Sequence, residues 1–221
     1  MNVISEKISG ASTQKLYKWA FGLSLITIIY NVIEGGFATW FGAHDETLAL
    51  FGFGVDSFVE VISGLGIAHM IIRMRRNEYS GVDQFEITAL KITGTAFYVL
   101  VAGLVTGATL SIYTGAEPHT TKVGIIISVL SILTMYALYY YKMKVGKALN
   151  SAPIISDAKC TKTCFYLSFI LLGASLLYEL FQLPYVDAVG SLAIAYYALK
   201  EGREAFEKAQ KRTLACADDC C

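Results

Sequence analysis

The sequence predicts an all-α integral membrane protein with six transmembrane helices and with both termini in the cytoplasm. Of the 221 residues, 55% are hydrophobic and 16% are charged, whereas a soluble domain usually carries about 25% charged residues. The charged residues occur in clusters, and the stretches between the clusters are long enough to cross a bilayer as helices, which takes ~20 apolar residues. Most basic residues lie at those ends of the stretches that would face the same side of the membrane.

The spans follow one another from a polar N-terminal segment to a charged C-terminal tail. They are predicted at residues 16–41, 47–71, 86–113, 123–141, 153–180 and 184–199. Strongly basic segments precede the first span and follow the second, fourth and sixth. Their members are Lys7, Lys15 and Lys18, then Arg73, Arg75 and Arg76, then Lys142, Lys144 and Lys147, and finally Lys200, Arg203, Lys208, Lys211 and Arg212. An even number of spans and this charge asymmetry agree with two cytoplasmic termini.

The predicted organisation is a single transmembrane unit with short cytoplasmic ends. Residues 1–15 form the N-terminal segment, 16–200 the transmembrane domain, and 201–221 a short helix and a cysteine-rich tail. The net charge is zero, so the chain lacks the basic field of nucleic-acid-binding proteins. No bound cofactor is expected.

Two carboxylates lie inside the second span, where ionisable groups are costly and usually functional. Asp56 and Glu60 are four residues apart, which places them on one face of a helix. Two carboxylates so close repel each other unless one is protonated or a cation lies between them. The pair therefore predicts a site for metal ions, for protons, or for an exchange of both.

Two cysteines with the same spacing, Cys160 and Cys164, lie in the fifth span. Thiolates prefer soft or borderline ions such as zinc and cadmium, and four donors suit the tetrahedral geometry of zinc. The two pairs lie at similar depths, and the helices run antiparallel, so Glu60 is expected to face Cys160 and Asp56 to face Cys164. The alternative for the cysteines is that they are small buried hydrophobic residues.

Several other residues are candidates for lesser roles. Asn31 and Glu34 in the first span either line the ion pathway or pack against neighbouring helices. Asp157 either attracts incoming cations or caps the fifth helix. The tail has three further cysteines, which form either a metal-collecting site or a disordered end with reactive thiols. They are Cys216, Cys220 and Cys221.

Four segments share a pattern with a known family of membrane proteins. They are YNVIEGG in the first span, ETLALFGFGVDSFVEVISG in the second, SAPIISDAKCTKTC at the start of the fifth, and YVDAVGSLAIAYYALKEG through the sixth. In this order they resemble the cation diffusion facilitator family of metal/proton antiporters, over about residues 15–202. The resemblance implies a homodimer whose transport site is formed by two i, i+4 pairs on spans two and five, at Asp56, Glu60, Cys160 and Cys164.

Two departures from the family pattern change what the resemblance implies. Members typically have His or Asp at the first positions of these pairs and Asp at the second, whereas this chain has glutamate once and cysteine twice. The cysteines favour zinc or cadmium as the substrate over manganese or magnesium. Many members also end in a cytoplasmic domain, and the sequence after Leu199 is interpreted as a short form without it.

The predicted function is export of a zinc-like or cadmium-like ion from the cytoplasm in exchange for protons, without enzymatic activity, in a prokaryotic inner membrane. One alternative is a membrane thiol–disulfide protein that uses Cys160 and Cys164, although CxxxC spacing on a helix strains a disulfide. Another is a metal sensor that does not transport.

Overall fold

Over the residues that it describes, the computed structural model is a bundle of six α-helices, which confirms the predicted all-α fold. It describes residues 2–45, 47–76, 78, 80–183 and 185–214, with side chains from residue 13 onward. The helices are α1 (Asn2–His44), α2 (Leu48–Arg75), α3 (Gln84–Thr114), α4 (Lys122–Ala148), α5 (Ala152–Phe181) and α6 (Val186–Lys211).

Five of these helices, α1 to α5, are long and apolar enough to cross a membrane. Each extends beyond the apolar stretch that predicted it, because backbone hydrogen bonding continues into the polar flanks. The sixth helix occupies the position of the sixth predicted span, but its apolar part ends at Leu199. From Lys200 to Lys211 it is rich in charged residues, and it continues through them without a break.

The second helix is the centre of the bundle. It packs along α1 and also contacts α3, α5 and α6, while α4 packs along α5 and α3 along α6. The α1 and α2 backbones approach closely at Gly54, where an added Cβ would lie 2.5 Å from the backbone nitrogen of Thr39. Only glycine permits this approach, which brings the polar residues of α1 within reach of those of α2.

A buried polar layer divides the interior into two apolar clusters. One cluster includes Leu23, Met70 and Leu138, and the other includes Phe53 and Leu171. Between them lie side chains that are buried or half-buried although they are polar. They are Asn31 and Glu34 on α1, Asp56, Ser57 and Glu60 on α2, Ser131 on α4, and Ser168 on α5. Burying polar groups here carries a large desolvation cost, so the layer is the candidate functional part of the bundle.

The two ends of the bundle differ in charge. The end at which α2, α4 and α6 finish carries most of the basic residues, and we call it the basic end. It is the predicted cytoplasmic side. There Arg73 at the end of α2 bridges to Asp83 and Glu86 at the start of α3, at 3.3 and 3.0 Å.

At the opposite end, a residue of α6 caps a different helix. The carboxylate of Asp187 accepts hydrogen bonds from the backbone nitrogens of Leu48 and Ala49, at 2.8 and 3.2 Å. These are two of the donors that the first turn of α2 leaves without a partner in its own helix. Asp187 thereby fixes the start of the helix that carries the carboxylate pair.

Candidate functional site

The buried polar layer borders a cavity of about 70 Å³ that extends towards the basic end, and we call it the central cavity. Residues from all six helices line it. Those with charged or sulfur-bearing side chains are Glu60, Lys142, Asp157, Cys160, Cys164, Glu201, Glu204 and Lys208. Three of the four predicted metal ligands therefore face one space.

The carboxylate of Glu60 joins three helices. One oxygen accepts a hydrogen bond from the Cys164 thiol on α5, and the other accepts one from the Asn31 amide on α1 at 2.8 Å. An oxygen donor and a sulfur donor are therefore in direct contact at the centre of the bundle. This contact is the core of the candidate site.

The predicted pairing of Glu60 with Cys160 is wrong by about one helical turn, because Glu60 lies against Cys164. The prediction placed the end of α2 at residue 71, whereas the helix continues to Arg75. Four more residues put Glu60 about 6 Å further from the basic end, at 1.5 Å per residue. That shift aligns it with the second cysteine of α5.

Asp56 lies behind the lining of the central cavity, one turn from Glu60 towards the start of α2. Its side chain is buried, with 3% of its surface exposed. It is close enough to Glu60 and Cys164 for direct Coulomb interaction. The carboxylate therefore lies beside the contact between Glu60 and Cys164, one helical turn from Glu60 on the side away from the basic end.

Cys160 points to a different partner. Its sulfur accepts a hydrogen bond from the Lys208 ammonium of α6 at 3.7 Å, while the Cys164 thiol faces Glu60. Among the described residues, no three of the four predicted ligand atoms lie within 4.8 Å of one another. The structure therefore holds the donors around one cavity but not in a closed coordination shell.

Asn31 and Glu34, the pathway candidates of α1, both belong to the buried polar layer. Asn31 is fully buried, and its side-chain oxygen has no hydrogen-bond partner within the part of the chain that the structure describes. Glu34 accepts hydrogen bonds from the Tyr30 hydroxyl at 2.9 Å and the Ser57 hydroxyl at 3.1 Å. Asn31 therefore orients Glu60 directly, whereas Glu34 is adjacent to the site through Ser57.

Asp157 has a partner that the sequence did not indicate. Its carboxylate lies 3.1 Å from the ammonium of Lys142 on α4, which also donates to Thr161 at 3.0 Å. The capping role considered for Asp157 is wrong, because the N-cap residue of α5 is Ser151. Asp157 lines the central cavity as one half of a buried ion pair, so its charge is already balanced.

Sequence reasoning missed four charged residues of the cavity, which it assigned to cytoplasmic ends. They are Lys142, Glu201, Glu204 and Lys208. A signal was present in the spacing, since residues 201, 204 and 208 repeat at three and four and so share one helix face. The spacing does not reveal that this face turns into the bundle.

A second group of ligand-type atoms lies at the basic end. Atoms of His69, Asp83 and Glu86 lie within 4.8 Å of one another. The Arg73 guanidinium already bridges both carboxylates, and Asp83 and Glu86 form the capping box of α3. This group joins α2 to α3. The tail cysteines Cys216, Cys220 and Cys221 lie outside the described residues.

Comparison with known proteins identifies the family of the chain. A family model described as the cation efflux transmembrane domain matches residues 21–211, which includes α1 from residue 21, the whole of α2 to α6 and every residue of the candidate site. The chain therefore belongs to the cation efflux family, the class of transporters that the sequence resembles, and it is an integral membrane protein.

A curated relative from Methanocaldococcus jannaschii is described as an uncharacterized transporter. It is 24% identical over 180 residues, which is 80% of this chain and 63% of the relative. The chain thus spans less than two thirds of that relative's length.

Proposed function

We propose that the protein is a secondary transporter that exports a soft or borderline divalent metal ion, zinc or cadmium, from the cytoplasm in exchange for protons. The observation that carries this proposal is the contact between Glu60 and Cys164 inside the central cavity. A carboxylate and a thiol buried together in a membrane bundle contribute little as an apolar contact and are costly to bury. The same two groups are good ligands for a soft or borderline cation.

The donor set determines the class of ion. Asp56 and Glu60 supply oxygen, and Cys160 and Cys164 supply sulfur, from two neighbouring helices. Thiolates select zinc, cadmium and similar ions, while carboxylates alone suit magnesium and manganese. Four such donors satisfy a tetrahedral zinc ion. Membership in the cation efflux family supports a metal cation as the substrate.

Proton exchange follows from the chemistry of the donors. The Cys164 thiol donates a hydrogen bond to the Glu60 carboxylate, so the thiol proton is directed at the oxygen that would bind the ion. A metal ion requires the deprotonated thiolate, and its binding therefore releases this proton. On the other side of the membrane, reprotonation of the same pair weakens metal binding and favours release.

The unit that transports is proposed to be a homodimer in a prokaryotic plasma membrane, with residues 16–200 as the transport domain and the flanking segments in the cytoplasm. The dimer rests on the family resemblance, and the archaeal source of the relative is consistent with the membrane. The tail cysteines are proposed to collect metal near the basic end, where the central cavity extends.

Reconstitution into vesicles tests the proposal. Vesicles that contain the purified protein and a pH-sensitive dye are exposed to cadmium or zinc, and both metal uptake and proton movement are recorded. We expect coupled fluxes of opposite direction in the wild type. Glu60→Gln, Asp56→Ala, Cys160→Ala and Cys164→Ala should each abolish them, because each removes a donor.

Glu207→Gln is the matched control for Glu60→Gln, because Glu207 lies on α6 with its side chain 46% exposed and in surface ion pairs. It should transport like the wild type. Metal binding without uptake would instead indicate a sensor. Turnover that requires oxidation would indicate a thiol–disulfide protein, for which the structure gives less support because the two sulfurs face different partners.

A further inference from the structure

The lysine at the end of α6 places a positive charge inside the central cavity. Lys208 is buried, with 8% of its surface exposed. Its ammonium lies 2.8 Å from the Glu204 carboxylate and 3.7 Å from the Cys160 sulfur. It is therefore in contact with a residue that the proposed function assigns to the metal ion.

The other lysine of the cavity has different partners. Lys142 bonds to Asp157 and Thr161 on α5, neither of which is a proposed ligand. Among the described residues that line the cavity, Lys142 and Lys208 are the cations. Lys208 is thus the cation that faces the proposed ligands, surrounded by Cys160, Glu201 and Glu204.

A lysine ammonium and a divalent ion cannot occupy neighbouring positions against one sulfur, because like charges a few ångströms apart repel strongly in a poorly solvated cavity. The Lys208 ammonium donates to the Cys160 sulfur from α6, whereas the Cys164 thiol donates to Glu60. The lysine stem is long and flexible, and the Glu204 carboxylate one turn earlier on α6 lies 2.8 Å from the ammonium, where it offers the charge a partner other than the sulfur.

We propose, on the basis of the proposed function, that Lys208 is a tethered cation that competes with the transported metal ion for Cys160. In the metal-free state the ammonium occupies the side of the cavity nearest the basic end. The incoming ion displaces it, Cys160 turns towards Cys164 and Glu60, and the shell closes. Lys208 therefore lowers the affinity of the site for metal and prevents the transporter from holding its substrate too tightly.

Cadmium binding to the full-length protein in detergent tests this inference, with Cys216, Cys220 and Cys221 replaced by alanine in every sample so that the tail binds no cadmium. The dissociation constant is measured by titration calorimetry on the wild type and on Lys208→Gln, Lys208→Arg, Lys211→Gln and Glu60→Gln. Without the competing charge, Lys208→Gln should bind cadmium about tenfold more tightly, since a hydrogen bond to a charged group is worth about that factor or more. Lys208→Arg keeps the cation and should bind like the wild type.

Lys211→Gln is the matched control, because Lys211 lies on the same helix with its side chain 56% exposed and pairs with Glu207. Its affinity should not change. The double variant Glu204→Gln with Lys208→Gln removes both partners of the buried pair, and it should also bind more tightly. The double variant allows the inference to be tested even if Lys208→Gln alone does not fold.

Unchanged or weaker cadmium binding by Lys208→Gln and by the double variant would overturn the inference. If Glu60→Gln still loses binding in that experiment, the proposed function stands and only the role of Lys208 is wrong. If the wild type binds no cadmium, or if Glu60→Gln binds it with full affinity, the proposed function fails and the role of Lys208 fails with it.

Discussion

The side-chain amide of Asn31 on α1 lies 2.8 Å from the carboxylate of Glu60 on α2. This bond fixes one carboxylate oxygen and leaves the other for Cys164. The Asn31 oxygen remains buried without a hydrogen-bond partner among the described residues. The first helix therefore contributes to the site by orienting a proposed ligand.

Replacing Asn31 by alanine should weaken cadmium binding about tenfold, because partners that orient metal ligands typically contribute a factor of 10 to 100 in affinity. Titration of the purified protein with cadmium measures the effect. Thr88→Ala, an exposed substitution on α3 that removes a bond to its own helix, serves as the control. Equal affinity in the Asn31 variant would show that Glu60 does not depend on α1 for its position.

The cysteines should determine the preference for cadmium over zinc. Replacing Cys160 by His and Cys164 by Asp substitutes harder donors in the two positions. We expect the ratio of cadmium to zinc uptake, measured in competition in vesicles, to fall about tenfold or more. A ratio that stays constant would place the selectivity elsewhere in the protein.

The buried pair of Lys142 and Asp157 predicts a non-additive effect on stability. Lys142→Met leaves a buried carboxylate without its counter-ion, which should cost about 3 kcal/mol. The double variant Lys142→Met with Asp157→Leu removes both charges and should lose less. Unfolding of the three proteins in one detergent, followed by fluorescence, provides the comparison. A double variant at least as unstable as the single one would contradict a simple ion pair.

Asp187 should stabilise the start of α2 through two backbone hydrogen bonds. Asp187→Ala removes both acceptors and is expected to cost about 1 kcal/mol, whereas Asp187→Asn keeps a capping oxygen and should cost much less. The same unfolding measurement distinguishes the two variants. Equal losses would mean that the carboxylate charge, and not the cap, is what matters.

The fold was largely predictable because the signals for it are local. Hydropathy and basic clusters depend on composition along the chain, so six helices and a single basic end follow from them. The i, i+4 spacing of Asp56 with Glu60 and of Cys160 with Cys164 likewise fixed one helix face for each pair.

The sequence did not predict with the same accuracy which residue of α2 lies opposite which residue of α5. A helix end uncertain by four residues moves a side chain by about 6 Å, which was enough to pair Glu60 with the wrong cysteine. Lys208 was missed for another reason. Its charge fitted the cytoplasmic tail, and only the packing of α6 against α5 shows that it points inward.

The most direct test of the central claim is the coordination shell of the bound ion. Cadmium X-ray absorption spectroscopy is applied to a variant in which Cys216, Cys220 and Cys221 are replaced by alanine, so that Cys160 and Cys164 are the remaining cysteines. We predict a shell with two sulfur atoms and with oxygen in the other positions, and loss of the oxygen component in Asp56→Ala with Glu60→Ala. A shell of oxygen or nitrogen without sulfur would contradict the account.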